Sequence, residues 1–467
     1  MKKGLLVLII VGLAGAVAAP AMAIDWSASG YIRIGSSYYK NIDEEDGIPQ
    51  PTNAAYNEEN AWVQTRARLK IKVRANEDLY GVLYFEMDSE RWGESATGGG
   101  HIGVWNADQI AVEVKNVYID FRVPPKLPIW MRVGIQGFKI RPNVFMDMDG
   151  PGVTARIKID PIKLSITPMW FKRYEGVDHT QADDQDFYAI DLNLPIGPVK
   201  VGSYFLWDEV RQYTSSQDDG HFWWLGAYSD GMLGPVKYNL DLSYSGGTHD
   251  FDAAPDIDVE GWLIRVAAEY AWNKLNVGVG GWYSSGDDRD TTDFEGYALP
   301  EPRSGAPSTN DDTLILMGGW YGTAGMNDDG PSFAGSYGRY GWPTCPSPTG
   351  AQFGGFWYLR VFADYQLFDW LKVGGQIAYI GDTTDDGDTF GDSLEAPFGP
   401  TDYDDNNEIG WEFDIGASIK IYKNLTYNLA FGYLIAGDAL DHWNTSTSTN
   451  ASGGDPWAFI TRLEYKF

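Results

Sequence analysis

Three things are scarce in this chain. There is one cysteine in 467 residues, which excludes a disulfide framework and a thiolate-rich metal cluster. Basic residues number 35 against 65 acidic ones, and the resulting net charge of −30 excludes a surface built for nucleic-acid phosphates. Long apolar runs are missing beyond residue 23, where nothing approaches the ~18 residues of a helical membrane span. Disorder is excluded as well, because charged residues make up only 21 % of the chain and aromatics reach 15 %.

The N-terminus has its own logic. Lys2 and Lys3 precede an apolar run over 5–19, and Ala21-Met22-Ala23 offers small residues at the two positions a signal peptidase reads. This pattern predicts a secretory signal peptide over 1–23 and a mature chain of 24–467. The alternative, a retained anchor, fits poorly with Asp25 as the second residue past the cleavage point.

The mature sequence alternates. Within 61–74, Gln64, Arg66, Arg68, Lys70, Lys72 and Arg74 fall on one face of a strand, and Ala67, Leu69, Ile71 and Val73 fall on the other. Glu412, Asp414, Ser418 and Lys420 alternate in the same way with Trp411, Phe413, Ile415 and Ile419. A soluble sandwich alternates too, so segment length is the discriminator. Eighteen candidate strands can be drawn, among them 62–74, 108–122, 129–140, 151–160, 409–421 and 456–467. Most have the nine to eleven residues that a tilted strand needs to cross a bilayer. Tight turns such as Asn76-Glu77-Asp78 and Phe368-Asp369 alternate with long polar excursions such as 41–60, 286–354 and 382–408, while 141–150 is modest.

The fold class expected is therefore all-β: a transmembrane, antiparallel, up-and-down barrel of 18 strands. It must close, because unpaired backbone groups cannot be left in lipid. Closure brings Arg33 on the first strand near Arg462 on the last. The stretch 313–321 also looks strand-like, but parity leaves no room for another crossing. It belongs inside the 286–354 excursion, in a hairpin above the membrane or folded into the pore. Aromatics such as Trp26, Tyr31, Tyr38, Trp357, Trp411, Tyr433 and Tyr465 gather toward strand ends, as an interfacial belt requires.

The last residues carry a resemblance. Arg462-Leu463-Glu464-Tyr465-Lys466-Phe467 resembles the closing-strand signature of Gram-negative outer-membrane β-barrel porins. That resemblance implies a barrel in the outer membrane whose terminal Phe467 is read by the barrel-assembly machinery. Length and strand number are similar to alginate-export-like and substrate-specific porins of 18 strands. Alginate exporters imply a strongly positive pore, with which the acidic balance of this chain contrasts.

Charge placement supplies the site expectations. Acids concentrate in connections, as at Asp43-Glu44-Glu45-Asp46 and Asp385-Asp386, which gives a rim that attracts cations, solvates loops or bridges lipopolysaccharide. The lumen-facing candidates are Arg33, Arg66, Arg68, Lys70, Lys72, Glu86, Asp88, Glu113, Arg132, Arg156 and Arg462, with Lys115 beside Glu113. Two roles are open for them: lining a pore with a transverse field, or bracing the wall through ion pairs. Within 286–354, Trp320, Tyr337, Arg339, Tyr340 and Trp342 sit among glycines and suit a constriction loop or a lid. Asp382, Asp385, Asp386 and Asp388 form an oxygen-rich stretch that suits structural Ca²⁺, although the spacing is not an EF-hand. No other cofactor is expected.

Enzyme signatures are lacking. His101, His179, His221, His249 and His442 form no zinc motif, no nucleophile elbow or P-loop occurs, and Cys345 has no nearby cation to activate it. The expected function is a passive porin for small hydrophilic or charged solutes. The alternative is a non-transport barrel that binds a partner through its acidic loops. Outer-membrane lipid, lipopolysaccharide and small polar solutes are the expected partners, and a homotrimer and a monomer both stay open.

Overall fold

The computed structural model describes residues 24–41, 59–93, 112–142, 144–175, 184–210, 219–250, 255–287, 293–300, 312–323, 355–383, 407–440, 442–444, 449–451 and 454–467. The first half of the barrel is β1 (Asp25–Lys40), β2 (Glu59–Asn76), β3 (Leu79–Arg91), β4 (Glu113–Arg122), β5 (Ile129–Ile140), β6 (Met146–Ile159), β7 (Leu164–Tyr174), β8 (Gln185–Ile196) and β9 (Val199–Val210). It continues with β10 (Asp219–Leu233), β11 (Val236–Asp250), β12 (Ile257–Trp272), β13 (Leu275–Ser284), β14 (Phe356–Phe368), β15 (Leu371–Asp382), β16 (Glu408–Tyr422) and β17 (Leu425–Ala436). A small hairpin, β18 (His442–Asn444) with β19 (Thr449–Ala451), precedes the closing strand β20 (Trp457–Lys466).

Every neighbouring pair is antiparallel, and β20 pairs with both β17 and β1, so the 18-stranded sheet has no free edge. All eighteen expected strands are present. The one drawn over 108–122 begins at Glu113, and the one drawn over 151–160 begins five residues earlier, at Met146. Consecutive strands are joined at one mouth by short turns, where Gly197, Gly234 and Asn273 take φ of 60°, 61° and 55°. That left-handed geometry is what two-residue hairpins need. The start of β1 and the last residue lie at this mouth, where the Gly30 amide donates to the Phe467 carbonyl over 2.9 Å. The strand ends that lead into the long connections lie at the other mouth.

The alternation sorts into two faces. Leu359, Val361, Phe413 and Ile415 point out, the last 64 % exposed, and form an apolar belt whose only suitable surroundings are hydrocarbon. Toward the long-loop mouth the belt ends in outward aromatic rows, Trp223–Tyr244–Trp262 and Trp357–Tyr379–Trp411, with neighbouring rings 4.7 to 5.6 Å apart. Tyr31 is a correction to the belt: it faces the lumen, with the Arg33 guanidinium 4.1 Å from its ring. Closure gives Arg33 a different neighbour as well. Its register partner on β20 is Glu464, while Arg462 lies opposite Gly35, one step along the same face.

The lumen is not a uniformly polar tube. At the long-loop ends of β5–β10 it holds an apolar core in which Phe138, Phe171 and Phe187 stack at 4.3 and 4.8 Å. Leu206, Phe222 and Trp224 are fully buried beside them. The β5–β6 tip folds inward to complete this core, with Phe145 stacked 4.4 Å from Tyr204. The modest 141–150 connection is therefore a lumen element, because Val144, Phe145 and Met146 have apolar partners only inside the barrel. Residues 312–323 also fold inward and form no strand, so of the two placements open for 313–321 the lumen is the one adopted.

Candidate functional site

Two walls of the lumen differ in how their charges are met. The first is built by β1–β6. Arg66, Arg68, Lys70, Lys72 and Arg74 share its inner face because the β2 backbone alternates and lipid takes the other side. Its upper cations are paired locally. Arg33 bonds Glu464 at 2.5 Å, and Glu86 takes Arg66 at 3.6 Å, Arg68, and Lys115 at 3.0 Å. Asp120, fully buried on β4, accepts from Arg132 at 2.9 Å and Arg156 at 2.8 Å. For these residues the bracing role describes the geometry, and Glu86 sits beside its cations rather than across the lumen from them.

Lys115 and Glu113 reach the inner side through a register shift. Pairing passes from Tyr84–Asn116 to Phe85–Val114, so Lys115 is an extra residue and both it and Asn116 bond Asp149. Simple parity from Val117 and Ile119 would have turned it to lipid. Glu113 lies opposite Glu86 in register and is exposed. The side chain of Asp88 lies outside the described residues.

Lower on the same wall the pairing stops. Among the described residues Lys70 and Lys72 have no carboxylate partner, and the charges acting on Lys70 are those of Lys72, of Arg132 (bonded to Asp120) and of Lys139 (bonded to Asp147). Tyrosines alternate with these cations: the Lys72 ammonium is 3.7 Å from the Tyr80 ring and Arg132 is 4.3 Å from that of Tyr118. Such cation–π contacts hold the heads in place without neutralising them.

The second wall, β11–β17, is covered by the segment 312–323. Glu412 and Asp414, almost fully buried on β16, accept three consecutive backbone amides: Leu314 to Asp414 at 3.2 Å, and Ile315 and Leu316 to Glu412 at 2.6 and 3.2 Å. Asp312 takes a two-pronged contact from Arg265 at 2.9 and 3.0 Å, one from Arg360 at 2.5 Å, and the Tyr358 hydroxyl at 2.8 Å. Burial alone would raise the Asp312 carboxyl, but Arg265 and Arg360 hold it well below the usual carboxylate range. Gln376 ties the arrangement together by donating to the Asp312 carbonyl at 2.7 Å and to Asp414 at 2.6 Å.

Glycines let the segment lie flat. A Cβ on Gly416 would meet the Tyr321 ring at 2.9 Å, and one on Gly432 would meet Asp414 at 2.5 Å and Leu314 at 3.1 Å. Further up, residues 293–300 fill the lumen, with the Trp224 indole donating to the Ala298 carbonyl at 2.8 Å and the Tyr297 hydroxyl to Ser243 at 2.7 Å. Below Trp320, Tyr321 and Gly322 a cavity of about 970 Å³ opens toward the short-turn mouth, lined also by Lys200, Lys237 and Lys372.

The sequence-derived constriction set is only partly placed. Trp320 is buried against Tyr321 with rings 5.0 Å apart, whereas Tyr337, Arg339, Tyr340 and Trp342 lie outside the described residues. Asp382 is buried and its amide donates to the Asn407 carbonyl at 2.9 Å. Asp385, Asp386, Asp388 and Cys345 lie outside the described residues, among which no group of three metal-ligating side chains forms. Sequence reasoning missed Arg141, Arg265, Asp312, Arg360 and the apolar filling of the lumen. A signal for the filling was present: in Tyr204-Phe205-Leu206-Trp207 and Phe222-Trp223-Trp224-Leu225 alternation lapses, so both strand faces must meet apolar surroundings.

With this geometry in hand, comparison with known proteins is informative. Residues 8–387 match the family model described as Gram-negative porin. No curated protein is significantly similar in sequence. Among solved structures, Pseudomonas aeruginosa OpdL superposes with a TM-score of 0.54 at 12 % identity, covering 95 % of this chain and 99 % of that one. The outer membrane protein OpdK of the same organism gives 0.52 at 10 % identity, covering 94 % and 98 %. OccK8 (OprE), also from that organism, gives 0.52 at 11 % identity, covering 95 % and 98 %. At these identities the likeness is one of fold.

Proposed function

The chain belongs to the Gram-negative porin family and resides in the outer membrane, and on that footing we propose that it is a passive diffusion channel whose inner wall favours small anionic solutes. The observation that carries the preference is on β2: among the described residues Lys70 and Lys72 have no carboxylate partner, and the charges acting on Lys70 are cationic. In a water-filled lumen with low-dielectric walls such charges concentrate anions. The β5–β6 tip and the segment 312–323 narrow the path, and the tyrosines beside the cations offer ring faces to a passing solute. The acidic outer connections set an opposing field at the far mouth, so a solute meets first one sign and then the other.

The leader 1–23 would route the chain across the inner membrane, and the terminal Phe467 would present the closing strand to the barrel-assembly machinery. No energy source enters this mechanism, since the pore only equilibrates a gradient.

Planar-bilayer recording of the purified protein in a tenfold KCl gradient tests the reading. A steady conductance with a reversal potential on the chloride side is expected. An absence of conductance would favour the binding-scaffold alternative, and a reversal potential on the potassium side would refute the anion preference.

A further inference from the structure

The two inward folds approach the same side of the lumen from different parts of the chain, and one run of charges touches both. Arg141, at the β5–β6 tip, forks onto Asp241 of β11, with the Nη2–Oδ2 contact at 2.8 Å and Nε on the other oxygen, and reaches Asp230 of β10 at 2.8 Å. Its backbone sits at φ 46°, a left-handed conformation that a residue with a side chain adopts only when held there. Asp241 is only 2 % exposed and stands directly opposite Arg265 in the β11–β12 register. Arg265 in turn forks onto Asp312, the head of the other inward segment. Arg360, at 2.5 Å from Asp312, ends the run.

We propose that Arg141 and Asp312 are positioning residues that set the pore aperture jointly, because Arg265, which forks onto Asp312 and bonds Asn239, stands opposite the Arg141-bound Asp241 in the β11–β12 register. The inference rests on the channel reading above. Its physical basis is that a buried carboxylate stripped of its partner is costly, so the nearest cation is drawn to it. When Arg141 is removed, Asp241 keeps its charge in a buried site and draws the Arg265 guanidinium toward itself. Asp312 is then held by Arg360 and Tyr358 alone, and the 312–323 segment loosens although nothing near it has changed. When Asp312 is removed, Arg265 is freed to compete for Asp241, and the tip loses hold of its left-handed Arg141. Each fold thus reports on the other.

The test is a double-mutant cycle on single-channel conductance and open-channel noise with the full-length protein in planar bilayers. The variants are Arg141→Ala, Asp312→Asn and the pair, with Lys126→Ala on an exposed turn as control. Heat-modifiable migration on gels checks that each barrel is closed. Each single variant is expected to raise conductance about twofold and to add noise. The pair is expected to differ from the product of the singles by at least twofold, since either change alone already disturbs both folds. Arg141→Lys, which keeps charge but cannot fork, is expected to restore only part of the wild-type trace. Multiplicative effects in a conducting protein would overturn the coupling and leave the channel intact. Single variants with wild-type traces would overturn it too. A wild-type protein that conducts nothing would instead sink the channel reading on which it rests.

Discussion

The β1–β6 wall and the β11–β17 wall present similar charges to the same lumen and use them differently. On the first, Lys70 and Lys72 carry positive charge that no carboxylate among the described residues meets, and tyrosines hold the heads in place. On the second, Arg265 and Arg360 are taken up by Asp312, and the Glu412 and Asp414 carboxyls by backbone amides. A charge available to solvent can act on a solute, whereas a charge satisfied by the protein acts on the protein. The contrast separates selectivity from architecture within one barrel.

The comparison breaks most readily on the covered wall. Replacing Glu412 and Asp414 together by alanine leaves the Leu314, Ile315 and Leu316 amides without acceptors, at about 1–3 kcal/mol for each amide that stays buried. Segment 312–323 is expected to leave the wall, with a several-fold rise in single-channel conductance and a wider size limit in liposome swelling. Reversal of the open wall by Lys70→Glu with Lys72→Glu is expected to change the anion-to-cation permeability ratio about tenfold toward cations, with conductance changed less than twofold. Reversal potentials measure the first quantity and current amplitudes the second. Equal effects on selectivity from both pairs would erase the distinction between the walls.

Smaller effects sharpen it. Gly416→Leu pushes against the Tyr321 ring, and overpacking of this kind costs about 1–3 kcal/mol, read as a lower temperature of heat-induced migration. Acidification should do least. Because the Asp312 carboxyl is depressed, its contribution to anchoring is complete above the ordinary carboxylate value of about 4 and is lost only as pH falls through its own lower value. Conductance set by that anchor is expected to stay level from pH 7 to about 4. A steep change in wild-type conductance between pH 6 and 5 that Asp312→Asn abolishes would contradict this.

Much of the candidate site was legible as position and little of it as partnership. Arg66, Arg68, Lys70, Lys72, Glu86, Arg132 and Arg156 were assignable to the lumen because strand periodicity leaves them one face free of lipid. Lys115 also lies inside, but through a bulge that periodicity alone does not reveal. That Glu86 braces while Lys70 stands open depends on which strands adjoin and in what register. Asp312 gave no sign at all, since its two arginines lie 47 and 48 residues away.

The sequence by itself determined the strands, their number, the closed barrel and, where alternation is unbroken, the side of a strand that meets hydrocarbon. Those follow from local alternation and from the rule that a lipid-exposed sheet cannot keep an edge. Only the tertiary structure decided what fills the lumen and which charges remain for a solute. An inward segment is stabilised by groups far off in the chain, brought to one height by the shear of the barrel, and no local pattern encodes that meeting.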